Sequence, residues 1–179
     1  PPLRVWQVTP AAARPQAPAW VVGRLVHAAL ANWRFPGAGF GDWLAGRARA
    51  LGLTDAARLA DAVRQAERLL TRLQGHALYA EATAAERRLH EVAYSRAEAE
   101  RVEVGVIDLL YRSAGGWSLV EFKSDHLRAG VGVETWLEEM GHRAQAGRYA
   151  AAVEALLGQR PRALICLLDW GGAVRLQEV

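Results

Sequence analysis

A single cysteine, Cys166, stands in the 179 residues of this chain. It excludes a disulfide framework, and it excludes any four-cysteine zinc or iron–sulfur site. No apolar run approaches the ~20 residues that a membrane span requires. No signal-peptide pattern opens the chain. These absences point to the cytoplasm and to no membrane partner. Lysine is as scarce as cysteine: of 22 basic residues only Lys123 is a lysine, and every other one is arginine. Proline is scarce too, except at the start. Residues 1–19 hold five of the seven prolines, so that stretch is expected to be extended or irregular.

What is present fits one globular domain with a proper core. Apolar residues make up 51% of the chain and charged residues 23%, an ordinary balance for a soluble fold. The net charge of +3 suits a nucleic-acid partner but suits many other proteins equally. The chain opens on Pro1 without a methionine and closes on the strand-like "AVRLQEV", as expected of a piece of a longer polypeptide.

Val22, Val26, Ala29, Leu30 and Trp33 recur at helical spacing, which predicts an amphipathic helix over 20–33. After the loop "FPGAGFG", residues 42–73 read as helix in two pieces. The break falls at "GLTD", where Thr54 or Asp55 can cap the second piece. Leu59, Val63, Ala66, Leu70 and Leu73 form its apolar stripe. A further helix is expected at 76–88 and a strand at 88–95. A hairpin follows over 105–123, then a Gly-containing loop at 124–133. A long helix is expected from about Glu134 to Leu157, closed by Gly158. Two strands around "DWGG" end the chain. Helices, hairpin, helix, hairpin is the order of an α/β domain with a central mixed sheet.

The first hairpin, "GVIDLLYRSAGGWSLVEFKSD", carries charge where a sheet should bury Val or Leu. Alternation puts Glu121 and Lys123 on one face with Trp117 and Leu119; it puts Val104, Val106, Asp108 and Leu110 on one face of the partner strand. A turn symmetric about Ala114 and Gly115 sets Asp108 opposite Glu121 and Val106 opposite Lys123. Directly opposed residues have Cβ atoms ~5 Å apart. Two carboxylates at ~5 Å repel by about 3 kcal/mol at an effective dielectric near 20. A bound cation reverses that sign, and Mg²⁺ typically takes one or two carboxylates with water and phosphate. The other reading is a solvated sheet face with a different register. The lone lysine favours the site: its compact, tunable charge is what arginine cannot supply.

With these residues in place, the sequence resembles the PD-(D/E)XK nucleases, with Asp108 as the motif's Asp and Glu121-Phe122-Lys123 as its (D/E)XK. It is most similar to the RecB-type branch, the nuclease domain of RecB, AddA and some UvrD/Rep-like helicases. "GRLVHAAL" resembles the G-x-x-x-H helix of that branch and puts His27 in the histidine position. "HEVAYS" resembles its acidic E-x-P-F segment, with Glu91 in place and Ala93 where Pro is usual. "QAGRY" matches its QxxxY motif through Gln145 and Tyr149. The match runs from about residue 20 to 155, and it is the order of the motifs that makes it specific.

The resemblance implies a restriction-endonuclease-like core, a mixed sheet flanked by helices, with the helices at about 42–88 as an extra insertion. It implies one nuclease domain over 1–179, cut from a longer helicase-nuclease. The activity implied is hydrolysis of DNA phosphodiester bonds with Mg²⁺ or Mn²⁺, single strands preferred, beside a superfamily 1 helicase motor in the same chain or complex. By the family pattern Asp108, Glu121, His27 and the backbone carbonyl of Phe122 hold the ion, and Lys123 positions the attacking water. Glu91 is expected to support the site rather than to ligate. Gln145 and Tyr149, four apart on one helix face, either pack against the sheet or touch substrate backbone or Lys123. His90, His126 and His142 have no spacing that assigns a role. A rival reading keeps the fold as an inactive DNA-binding or docking module. Another is a different enzyme of the superfamily, such as a junction resolvase; the CRISPR-associated exonuclease type normally carries a cysteine cluster, which this chain lacks.

Overall fold

A computed structural model describes residues 15–98, 101–128, 130 and 132–179; the proline-rich start before residue 15 lies outside them. The first helix, α1 (Ala19–Ala31), begins where Pro18 supplies the carbonyl for the amides of Val21 and Val22. It buries Val22, Leu25, Val26, Ala29 and Leu30, the stripe its spacing dictates. Two helices follow, α2 (Phe40–Ala50) and α3 (Ala56–Gln74). The break at "GLTD" is real: the Asp55 side chain accepts from the Arg58 amide at 2.8 Å and caps α3. Helix α3 buries Ala62, Ala66, Leu69, Leu70 and Leu73, while Leu59 and Val63 are only partly covered. The helix expected over 76–88 is shorter, α4 (Ala77–Thr83), because β1 (Arg87–Glu98) claims its end.

The remaining strands are β2 (Arg101–Ser113), β3 (Gly116–Leu127), β4 (Arg162–Trp170) and β5 (Ala173–Glu178). They form one sheet in the order β1-β2-β3-β4-β5, antiparallel except for the parallel pair β3/β4. Between β3 and β4 run α5 (Val133–Glu139) and α6 (His142–Leu157). The sequence pattern predicted one helix here. Gly141 adopts φ 69°, a left-handed conformation that ends α5 and starts α6 on a new axis. The loop expected from residue 124 also begins later. Strand β3 runs on to Leu127 through a register shift between Lys123 and His126.

Helices α1 to α4 cover one face of the sheet, where Val120, Phe122, Leu164, Cys166 and Leu168 meet α1 and α3. Helices α5 and α6 cover the other, against Leu119, Ile165 and Leu167. Strand β4 is therefore buried on both faces, and burial pushes the Cys166 thiol far up, so it is core. Among the described residues no helix is long and apolar enough to cross a membrane.

The β2/β3 hairpin turns at Ala114 and Gly115, in the symmetric register. Its ladder ends at Leu109↔Val120, so neither Asp108 and Glu121 nor Val106 and Lys123 are paired, contrary to the expected pairing. Beyond that point β2 pairs only with β1. The alternation of side chains also breaks there. Leu109 packs toward α1, but Ile107, two residues earlier, packs toward α6. Asp108 and Leu110 therefore do not share a face, contrary to the simple alternation. On β1 the break falls at Glu91, between the pairs His90↔Leu109 and Val92↔Ile107. Glu91 has φ 49°, a conformation that costs a side-chain-bearing residue roughly 1–3 kcal/mol.

Candidate metal centre

Asp108 stands where β2 leaves β3. With no strand partner there, the Phe122 amide donates instead to Asp108 Oδ2 at 2.8 Å. The carboxylate thus replaces a ladder carbonyl and holds the fork open. Its other oxygen, Oδ1, lies 3.3 Å from Nδ1 of His27 on α1. Glu91, turned by its left-handed backbone, completes a trio: one ligand atom each from His27, Glu91 and Asp108 lies within 4.8 Å of the others. The side chain expected to support the site is thus as well placed for an ion as His27.

Glu121 belongs to the same fork but looks toward α6. It is 6% exposed. Oε1 accepts from Lys123 Nζ at 3.0 Å. Among the described residues Oε2 is buried with no partner at all. Lys123 Nζ also donates to Gln145 Oε1 at 3.3 Å, and Gln145 Nε2 donates to the Tyr149 hydroxyl at 2.8 Å. These bonds fix which end of the Gln145 amide faces the lysine. Of the two alternatives for the Gln145/Tyr149 pair, both hold in part: Tyr149 is core, edge-to-face with Tyr94 at 5.4 Å, while Gln145 touches Lys123. Phe122 contributes its amide to Asp108 and its ring to the core.

Gly105 and Tyr94 are parts of this arrangement that the sequence motifs did not single out. A Cβ on Gly105 would lie 2.6 Å from the Tyr94 ring and 3.0 Å from the Tyr149 ring. A glycine inside a strand run, the signal of close backbone approach, marks the position.

The electrostatics are those of a site short of positive charge. Burial, then the charge of Asp108, raises the Glu121 pKa above the ordinary carboxylate range, against the pull of Lys123 and His27. Partial burial and Asp108 raise Glu91 in the same way, against His27. His27 is raised by its hydrogen bond to Asp108 and by the fields of Asp108, Glu121 and Glu91, despite burial. Three carboxylates therefore face one imidazole and one ammonium, and one buried carboxylate oxygen lacks a donor. The carboxylates and imidazole of the trio fit a hard divalent ion, while Glu121, expected as a ligand, lies outside the trio's 4.8 Å cluster.

Residues 3–176 match the PD-(D/E)XK nuclease superfamily. Over 65 residues, 35% of this chain, the sequence is 38% identical to an ATP-dependent helicase/nuclease subunit of Heliobacterium modesticaldum. That match spans only 5% of the relative's length. The crystal structure of a candidate exonuclease from Eubacterium rectale superposes with a TM-score of 0.61 at 13% identity, covering 93% of this chain and 60% of that one, a likeness of fold. The match over nearly the whole length, on a mixed sheet that brings Asp108, Glu121 and Lys123 to one fork, shows that the chain belongs to the PD-(D/E)XK nuclease superfamily.

Proposed function

We propose that the chain is the nuclease domain of a helicase-nuclease, hydrolysing DNA phosphodiester bonds with Mg²⁺ or Mn²⁺ and preferring single strands. The helices α2 to α4 are read as an insertion in that domain. The observation that carries the proposal is the His27–Glu91–Asp108 trio, at a fork where Glu121, with its buried and unpartnered Oε2, feels the charges of Asp108 and His27. A buried carboxylate oxygen without a donor is costly, and a bound ion is one partner that offsets the cost.

In this reading His27, Glu91, Asp108 and Glu121 hold the ion. A bound divalent ion lowers the pKa of its water and offsets charge on the phosphoryl oxygens. Lys123 does the rest. An ammonium has three N–H donors, and two are directed at Glu121 and Gln145. The third is left for the attacking water or a phosphate oxygen. Gln145, held by Tyr149, fixes the lysine from the α6 side. Glu121 fixes it from below, so Nζ has little freedom to wander before the reaction, which is how positioning lowers a barrier.

The test is digestion of single-stranded, double-stranded and branched DNA with Mg²⁺, Mn²⁺ or chelator. Metal-dependent cleavage, fastest on single strands, is expected. Binding without cleavage under every metal would leave an inactive DNA-binding module and sink the enzyme reading.

A further inference from the structure

A second feature lies beyond the metal centre. A groove of about 840 Å³ runs between α1, α3 and the far end of β3. We propose that it is a subsite for the substrate strand, with Trp20 stacking on a base and Arg68 and His126 gripping a phosphate. The identity of the strand rests on the nuclease reading above; the site itself rests on the following geometry.

Trp20, Gly23 and His27 fall at i, i+3 and i+7 on α1, so they share one stripe. Trp20 is 59% exposed and lines the groove; His27, one turn beyond Gly23 on the same stripe, lies outside the groove in the His27–Glu91–Asp108 trio. Seven residues of helix separate them by ~10 Å. Gly23 between them lets the helix lie low over the sheet, since a Cβ there would come within 3.1 Å of Ser124 Oγ. The floor follows the same path. Ser124, Asp125 and His126 continue β3 beyond Lys123, and all three line the groove. Three residues of strand again span ~10 Å. Both walls thus reach about three nucleotides from the reacting centre at the 3.4 Å spacing of stacked bases.

The charge in this groove is unbalanced on one wall. Asp169, buried at the end of β4, accepts from Arg72 at 2.6 Å and lies 3.0 Å from His126 Nδ1. Arg68 approaches the same carboxylate only to 3.9 Å, too far for a hydrogen bond, and its side chain is 55% exposed. One carboxylate therefore stands among two guanidiniums and an imidazole, so positive charge is left over. His126 is 68% exposed, and with Nδ1 turned to Asp169 its Nε2 points away from that carboxylate. The other acids of the groove are accounted for. Asp61 is occupied by the Ala17 amide, Gln65 and Arg64. Asp125 is the exception: next to His126 on β3 it opposes a phosphate, so Arg68 on α3 supplies the main charge and His126 Nε2 a secondary hydrogen bond. An exposed indole facing a half-free guanidinium is the pairing that single strands bind, base to ring and phosphate to cation.

The test is binding of a labelled oligodeoxythymidine at several salt concentrations, with chelator present so that the strand stays intact. Arg68→Gln is expected to weaken binding and to reduce the steepness of log K against log salt by about 0.7, the value for one single-strand phosphate contact. Trp20→Ala is expected to weaken binding about 5- to 100-fold with the slope unchanged. Arg160→Gln, the same charge change on the exposed turn beside Glu154, should leave both as they are. Equal slopes for Arg68→Gln and Arg160→Gln, with Trp20→Ala binding like the parent, would overturn the subsite, as would no measurable binding by the parent. The two proposals fail separately. A chain that binds in the expected pattern but cleaves with no metal loses the nuclease reading and keeps the subsite. A chain that cleaves but is indifferent to Trp20 and Arg68 loses the subsite alone.

Discussion

Replacing Lys123 by arginine keeps the charge and tests everything else. Nζ sits 3.0 Å from Glu121 Oε1 and 3.3 Å from Gln145 Oε1, on a side chain only 14% exposed. A guanidinium there must fit a plane of three nitrogens into a slot shaped for one. If one nitrogen keeps the bond to Glu121, the fork turns the others away from the lysine's third direction, or the larger group displaces Gln145. Either way the donor that faces water or phosphate moves by ~1 Å or more, and such misplacement can cost about a hundredfold in rate. Overpacking adds a stability cost of about 1–3 kcal/mol. For a chain of this size that lowers Tm by roughly 2–12 °C, so the variant should remain folded at assay temperature. The measurement is single-turnover cleavage of single-stranded DNA with Mg²⁺, beside a circular-dichroism melt. A folded Lys123→Arg variant within about threefold of an active parent would refute the reasoning, because only a solvated lysine tolerates that exchange.

Millimolar Mg²⁺ or Mn²⁺ should raise Tm by about 5–10 °C at a hundredfold excess over Kd, and Glu121→Gln should shrink that response; an unmoved melting curve for the parent argues against the site. Gly105→Ala should destabilise by about 1–3 kcal/mol and slow cleavage, because its Cβ drives Tyr94 and Tyr149 apart; urea unfolding beside single-turnover rates measures both. In the metal-free chain Glu121, Glu91 and His27, all raised in the fold, should each contribute less stability as pH rises, while His90 and His142, lowered by burial, act in the opposite sense. A group with a raised folded pKa contributes stability below its unfolded pKa and loses it as pH climbs through the folded one, so the Tm of the metal-free parent should fall with rising pH relative to that of Glu121→Gln, starting above the ordinary carboxylate range. Saturating metal should flatten or reverse that slope, because the ion takes the deprotonated groups; parallel melting profiles with and without metal would contradict this.

Much of this architecture was legible in the sequence, for physical reasons. The hairpin register followed from a two-residue turn between alternating runs, which pins strand pairing locally. The cap at Asp55 and the turn at Gly171 and Gly172 are also short-range signals. What stayed hidden depends on contacts between distant elements. Gly141 divides one periodic apolar pattern into two helices, and the pattern alone does not say whether the axis continues. The switch of face at Glu91 and Asp108 is similar. Alternation predicted a regular strand, but two strands change the helix layer they pack against at the same level, and a left-handed glutamate absorbs the change. Motif order could set His27, Glu91 and Asp108 in one site, but not rank Glu91 beside His27 as a neighbour of the same point.

The placement of the charges follows from that switch. A continuous β2/β3 ladder would have given the Phe122 amide a backbone acceptor and closed Asp108 and Glu121 into an ordinary cross-strand pair. Because β2 departs after Leu109, the amide takes Asp108 instead, and that carboxylate is drawn toward α1. Glu121 keeps its strand orientation and is drawn toward α6 by Lys123. The two acids therefore meet at the fork from opposite layers. Each layer brings its own polar partner, His27 from α1 and Gln145 from α6. Among the described residues Glu121 Oε2 is left buried with no hydrogen-bond partner. The strain at Glu91 is the local cost of turning its carboxylate toward His27 and Asp108, and under the proposed function an ion bound there would offset it. A sheet built for stability alone would have no reason to open at this level; under the proposed function, the opening is what would hold a cation against a phosphate.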